Sequence, residues 1–402
     1  MPPRDDSCPD GAVDDLLPPV SGAWRGGLDP VGRRRFVGLP GPVALENGAS
    51  LPAVTVAYET WGRLDPAASN ALLVLHALTG DSHAAGPAGP GHSGRGWWDA
   101  MIGPGRPIDT ERYFVVCPNV LGGCQGTTGP SSTAADGRPW GSRWPEITIG
   151  DQVLVEALLA DQLGIQRFAG VIGGSMGGMR ALEWALRYPD RVARAVVVAC
   201  GVAATAEQIA LYSTQIAAIT SDPGWCGGDY HHRPVGAGPH AGMGLARRMA
   251  QVSYRSEREL AGRFGNRLQL DGRFAAQSYV EHHADKLVRR FDAGTYVTLT
   301  QAMMTQNVGR GRGGVAAALS ACPVPMAVAG VDSDRLYPLY LQREIADAVR
   351  VPALAGGLAV IRSLYGHDAF LLETEQVTDV VREALEAPPV VPAEGPEQRV
   401  PE

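Results

Sequence analysis

The stretch Ala169–Ala181, AGVIGGSMGGMRA, decides the fold. Apolar residues run into Gly173-Gly174-Ser175-Met176-Gly177-Gly178 and then into a helical pattern. This reads as a strand, a sharp turn bearing one serine, and a helix, the context that a G-x-S-x-G nucleophile elbow requires. The turn forces Ser175 into a strained conformation with its Oγ exposed. Glycines two residues to either side let strand and helix approach closely. With 51 glycines in 402 residues the motif alone is weak, so the flanking pattern has to carry the argument.

Outward from the elbow the chain alternates. Apolar, β-rich runs fall at Val54–Trp61, Ala71–Leu75, Tyr113–Pro118, Phe168–Ile172, Arg194–Ala199, Met326–Val331 and Leu358–Ser363. Helical patterns cover Gln152–Leu163, Met176–Arg187, Leu339–Ala348 and Ala369–Ala387. Strands alternating with helices predict βαβ units and a mostly parallel sheet. The alternation breaks over residues 204–317, which hold helical segments such as Ala206–Ile219, Gly244–Val252 and Tyr279–Phe291. A helical insertion leaving the carboxyl end of a parallel sheet reads as a lid over the active face. The expected division is a core of 26–203 and 318–386, a helical lid of 204–317, and disordered segments at 1–25 and 387–402, both rich in Pro and acidic residues.

Bulk properties narrow the classes. A net charge of −7 gives no reason to expect nucleic acid or an anionic membrane as partner. The six cysteines, Cys8, Cys117, Cys124, Cys200, Cys226 and Cys322, are scattered and form no C-x-x-C pair, so no metal site is expected. The start of the chain, MPPRDDSCPDGAVDD, lacks the apolar segment of a secretory signal. No apolar run reaches the roughly 18 residues of a membrane span, and a cytoplasmic location is the expectation.

A serine hydroxyl needs a base, and the base needs an orienter. In the α/β-hydrolase arrangement they follow in the order Ser, Asp or Glu, His. PVPMAVAGVDSDRLYP closes a strand with Asp332 and Asp334, and LAVIRSLYGHDAF closes the last strand with His367. Asp334 is favoured, since Asp332 can serve instead as a turn residue bonding a backbone amide. The oxyanion hole requires two backbone N–H groups. Met176, next to the nucleophile, supplies one, and Leu78 in the loop after the third strand is the candidate for the other. His76 and His83 in that loop read as hydrogen-bonding loop residues.

Five stretches together resemble the homoserine O-acetyltransferases: HALTGDSHAAG (His76–Gly86), WWD (Trp97–Asp99), NVLGGCQGTTGPSS (Asn119–Ser132), GGSMGGM (Gly173–Met179) and YGHDAF (Tyr365–Phe370). The resemblance covers about Phe36 to Glu386. It implies an α/β-hydrolase fold with a helical lid and a ping-pong reaction. Ser175 would take an acetyl group from acetyl-CoA with help from His367 and Asp334, and then pass it to L-homoserine for L-methionine biosynthesis. It implies no cofactor beyond acetyl-CoA as co-substrate, and a homodimer. An arginine of the lid and the aspartate beside the catalytic histidine would hold the amino-acid acceptor. Asp368 matches the latter, and Arg248 matches the former with Arg247 as the fallback. Relatives using succinyl-CoA carry an arginine where this chain has Leu336, which favours acetyl, although Arg335 is adjacent. The GRGRGGV run at Gly309–Val315 offers Arg310 and Arg312 as contacts for CoA phosphates. A serine esterase or thioesterase with the same triad is the competing expectation.

Overall fold

A computed structural model describes residues 17–386. Eight strands form one sheet: β1 (Arg35–Gly38), β2 (Thr55–Trp61), β3 (Ala71–Leu75), β4 (Phe114–Pro118), β5 (Gly170–Gly174), β6 (Ala195–Val198), β7 (Met326–Val331) and β8 (Leu358–Ile361). Their order is β1-β2-β4-β3-β5-β6-β7-β8. Only β2 runs against its neighbours; the other pairings are parallel. The central strands β5, β6 and β7 are buried along their whole length, which is why they read as unbroken apolar runs.

The two faces of the sheet bury alternate residues, as a pleat requires. Leu73, Leu75, Val171, Val197 and Val328 face one core, shared with α1 (Ile149–Gln162), α2 (Met176–Arg187) and α9 (Leu339–Ala348). Leu72, Val74, Ile172, Val196 and Ala327 face the other, with Trp98 and the terminal helix α11 (Thr374–Glu386). A capping box starts α1, where the Thr148 hydroxyl and the Asp151 carboxylate each accept the other's backbone amide.

Between β6 and β7 lie α3 (Ala206–Thr220), α4 (His240–Tyr254), α5 (Glu257–Phe264), α6 (Ala275–Val288) and α7 (Ala293–Met304). The chain leaves the core and returns to it at one point, where Ala203 bridges Asn307. The insertion therefore closes before α8 (Val315–Ala321), so the expected lid boundary at 317 falls three residues inside a core helix; α8 packs against α9.

Two further expectations need correction. Leu17–Arg25, part of the stretch expected to be disordered, is tied down: Gly22 N donates to Phe291 O at 3.0 Å and Trp24 N to Cys124 O at 2.9 Å. The rest of that stretch, with Cys8, and the 387–402 tail lie outside the described residues. The expected single helix from Ala369 is broken at Glu373 into α10 (Ala369–Leu372) and α11. The physical reason lies in the Phe370 carbonyl, which accepts the Trp98 indole N–H at 3.2 Å.

Candidate active site

The site begins at the β5–α2 turn. A Cβ on Gly173 would lie 2.1 Å from Gly177 O, and one on Gly177 would lie 2.1 Å from Leu75 O. Strand and helix can close to this distance only with glycine at both positions. Between them Ser175 has φ 58° and ψ −126°, a strained backbone that costs about 1–3 kcal/mol. The strain is held by the sheet: Ser175 N donates to Val198 O at 3.0 Å, and Met179 N to Ser175 O at 3.0 Å. Met176, the first residue of α2, has an amide with no intrahelical acceptor.

Three strand ends then converge. His367, in a tight turn after β8, has Nε2 2.8 Å from Ser175 Oγ and Nδ1 2.6 Å from Asp334 Oδ2. The other oxygen of Asp334 accepts the amides of Leu336 and Tyr337, both at 2.8 Å. A carboxylate can only accept, so Nδ1 carries the proton and Nε2 is left to take one from Ser175. Burial alone would lower the His367 pKa. The attraction and hydrogen bond of Asp334 outweigh it, with help from Asp368, and the ring is held above its ordinary 6.5. Asp332 Oδ1 instead accepts Ser363 N at 3.0 Å, away from the imidazole.

Ser175 and His367 open on a cavity of about 260 Å³. Leu78 and Thr79 form its wall on the core side, and Arg247, Tyr254 and Arg255 on the lid side; Asp368 is at its edge. Asp368 makes no side-chain cap to the following helix and lies 3.2 Å from Arg255 Nε. Its own burial raises its pKa against the pull of Arg255, His367 and Arg247.

Arg248, the favoured lid arginine, is not at the cavity. Its side chain is 44% exposed and lies 3.8 Å from Glu281. Arg247 takes the inner position, because it continues the buried stripe of α4 through Met243, Ala246 and Ala250. Its guanidinium lies over the Tyr254 ring at 5.2 Å, and its Nε and Nη1 have no partner. Tyr254 and Arg255 belong to none of the sequence motifs. Their signal was the helical repeat, since Tyr254 falls seven residues after Arg247 and so on the same face.

Arg312 is engaged elsewhere: it forks onto Glu183 of α2 at 2.6 and 2.9 Å, and neither it nor Arg310 borders the cavity. Among the described residues, one group has metal-ligand side chains clustered, Glu59, His83 and His92, with ligand atoms within 4.8 Å of one another. Most of its ligand atoms already have partners, His92 Nδ1 being the exception. His83 Nδ1 faces Glu59 at 2.9 Å, Arg33 N donates to His92 Nε2 at 3.0 Å, and the two rings stack 3.8 Å apart. Such stacking does not aim two lone pairs at one ion, and the group reads as loop packing.

This geometry has counterparts among known proteins. A family model described as alpha/beta hydrolase fold matches residues 70–373. Homoserine O-acetyltransferase of Thermobifida fusca (strain YX) is 58% identical over 373 residues, covering 91% of this chain and 97% of that protein. The crystal structure of esterase E22 superimposes with a TM-score of 0.79 at 25% identity, over 88% of this chain and 99% of that one. That of homoserine O-acetyltransferase from Bacillus anthracis gives 0.78 at 26% identity, over 88% and 98%.

Proposed function

Since the chain belongs to the alpha/beta hydrolase family and, within it, to the homoserine O-acetyltransferases, we propose that it moves an acetyl group from acetyl-CoA to the hydroxyl of L-homoserine through an acetyl-Ser175 intermediate. The observation that carries this reading is the unbroken relay Ser175–His367–Asp334, opening on a cavity that also holds Arg247 and Asp368.

Ser175 Oγ attacks the thioester carbonyl while His367 Nε2 takes its proton, and Asp334 stabilises the imidazolium. The amides of Leu78 and Met176 receive the oxyanion. Collapse breaks the C–S bond, and the departing CoA sulfur takes the proton from His367. The homoserine hydroxyl then attacks the acetyl-serine, gives its proton to His367, and leaves as the O-acetyl ester as the proton returns to Ser175. One base and one oxyanion hole serve both halves. The Arg247 guanidinium at the cavity wall suits the acceptor carboxylate, and Asp368 suits its ammonium.

Leu336 supports acetyl as the acyl group. It is buried and apolar where a cation would be needed for a longer diacid, and the adjacent Arg335 turns away to donate to Val252 O at 2.7 Å. The homodimer implied by the resemblance is part of the proposal, with exposed Leu245 and Val252 on α4 as the surface to probe. So is a place in L-methionine biosynthesis. No helix among the described residues is long and apolar enough to cross a membrane.

The test is CoA release from acetyl-CoA and from succinyl-CoA, each with L-homoserine and with L-serine. Acetyl-CoA turnover stimulated by homoserine is the expected result. Preference for succinyl-CoA or serine would move the substrates while keeping the mechanism. CoA release indifferent to any acceptor would make the chain a hydrolase, the class to which its neighbour esterase E22 belongs by name.

A further inference from the structure

We infer that His76 is a positioning residue for the oxyanion hole: its ring, locked between Val120 and Ala77, fixes the peptide that presents the Leu78 N–H to Ser175. The inference rests on the reading of Ser175 as the acyl-accepting nucleophile and is independent of which donor and acceptor the enzyme uses.

The argument begins with what each partner can do. Val120 N lies 3.1 Å from His76 Nε2, and a backbone amide only donates, so Nε2 carries a lone pair. The neutral ring then has its proton on Nδ1, which lies 2.8 Å from Ala77 O, and a carbonyl only accepts. Gly80 N donates to the same oxygen at 2.9 Å. Two donors therefore hold the Ala77 C=O in one direction. The peptide that follows is trans, so the Leu78 N–H points the opposite way. Leu78 borders the cavity that holds Ser175. The residue is anchored at its other end too, since Arg180 of α2 donates to the His76 carbonyl and pairs with Glu156 at 2.5 Å.

The device works only with a neutral ring, because a protonated Nε2 would face the Val120 N–H donor to donor. Burial, and then the Arg180 charge, pull the His76 pKa down to about 3, so the ring stays neutral across the working range.

Two amide variants separate the two bonds. The longer His76→Gln can still accept from Val120 N but withdraws the donor from Ala77 O. The shorter His76→Asn can keep a donor on Ala77 O and gives up Val120. The readout is the acylation burst with p-nitrophenyl acetate, which needs neither CoA nor homoserine; failure of the proposed substrates would show only in the CoA-release assay. Loss of an oxyanion donor costs about 100- to 1,000-fold, so a misaimed one should slow acylation by about 10- to 100-fold in His76→Gln, with His76→Asn within about 3-fold of the parent. Equal losses in the two, losses that follow Tm, or a larger loss in His76→Asn would overturn the assignment. Should neither variant fold, the parent enzyme labelled with 15N-histidine decides. Its His76 signal, told from that of the other low-pKa ring, His283, by comparison with His283→Gln, must be neutral and Nδ1-protonated at about pH 5, and its absence overturns the proposal.

Discussion

Arg247 and Arg248 are neighbours in sequence and strangers in space, because successive side chains on a helix point about 100° apart. Arg247 borders the cavity with two unpartnered nitrogens, whereas Arg248 lies outside beside Glu281. A charge-assisted hydrogen bond is worth about 1.5–3 kcal/mol, so Arg247→Ala should lower kcat/KM for homoserine by about 10- to 100-fold while the acyl-enzyme still forms. Arg248→Ala should leave it within about 2-fold. Steady-state kinetics with both substrates varied checks this, and a larger effect at Arg248 would send the acceptor carboxylate to the outer face. Ser175, Asp334 and His367, which the structure brings together, could be picked out in the sequence because each lies in the segment that leaves a strand, immediately after β5 and three and six residues beyond β7 and β8. The choice of arginine turned on a single residue of helical phase, which a motif match does not resolve. The raised pKa of His367 adds a prediction with a definite sign. Only the neutral ring can take the Ser175 proton, so kcat/KM should fall with acidification along a limb centred above 6.5. A limb below that value would mean that Asp334 does not hold the imidazole in the working enzyme.

At the scale of elements, legibility followed the apolar pattern: a buried strand shows a continuous run and a half-buried helix a stripe. The inner strands and α2 announced themselves as continuous apolar runs or clean helical stripes. The edge strand β1 is four residues long with no buried position, so it carries no long apolar run that would mark it. In the lid, α7 is buried nearly all round and so shows no amphipathic stripe, which hid it. What starts α7 is instead a polar knot. Asp292 caps it by accepting Thr295 N at 2.8 Å, and also accepts the hydroxyls of Tyr230 and Ser21, both at 2.7 Å, with His231 Nε2 at 3.0 Å. Burial pushes the Asp292 carboxyl up, but His231 and the two hydroxyls win and bring it to about 2. Burial likewise lowers His231, and Asp292 more than restores it, to above 6.5. The Asp292 contribution is present above the ordinary 3.8 and fades as pH falls toward about 2. The His231 contribution is full below 6.5 and is lost as pH rises through its raised value. The pair therefore stabilises the lid most in mildly acidic solution. His231→Gln keeps a neutral hydrogen bond and removes the charge, so its Tm deficit should be largest near about pH 5 and shrink by about pH 9. Thermal melts across that range test it, and a deficit independent of pH would show that the pair is uncharged.

Across the whole molecule, core and lid are joined by more than the Ala203–Asn307 bridge. The segment from Leu17 to Arg25 runs between them. Its Pro18 and Pro19 carbonyls accept from Gly236 N and His240 in the lid. Trp24 N reaches Cys124 O in the core. At its centre Gly22 lies against the corner Arg290–Phe291, where an added Cβ would come within 2.4 Å of Phe291 N and 2.5 Å of Arg290 C. That corner matters to the site, because Arg290 borders the reaction cavity and donates to Thr79 O at 2.9 Å, one residue beyond Leu78. Gly22→Ala has no open space to enter and only backbone to push, so the strap must lift or the corner must move. Overpacking of this kind costs about 1–3 kcal/mol, and at about 2–4 °C per kcal/mol the Tm should fall by several degrees. Acylation should slow as well if the Leu78 amide holds the oxyanion as proposed, since the displaced corner carries Arg290 away from Thr79 O. Gly26→Ala is the matched control, because its Cβ would meet only the Trp24 ring at 3.7 Å, and it should melt and turn over like the parent. If Gly22→Ala lowers Tm and leaves acylation intact, the strap holds the lid in place without reaching the chemistry; if it changes neither, the segment is not bound along this corner in solution.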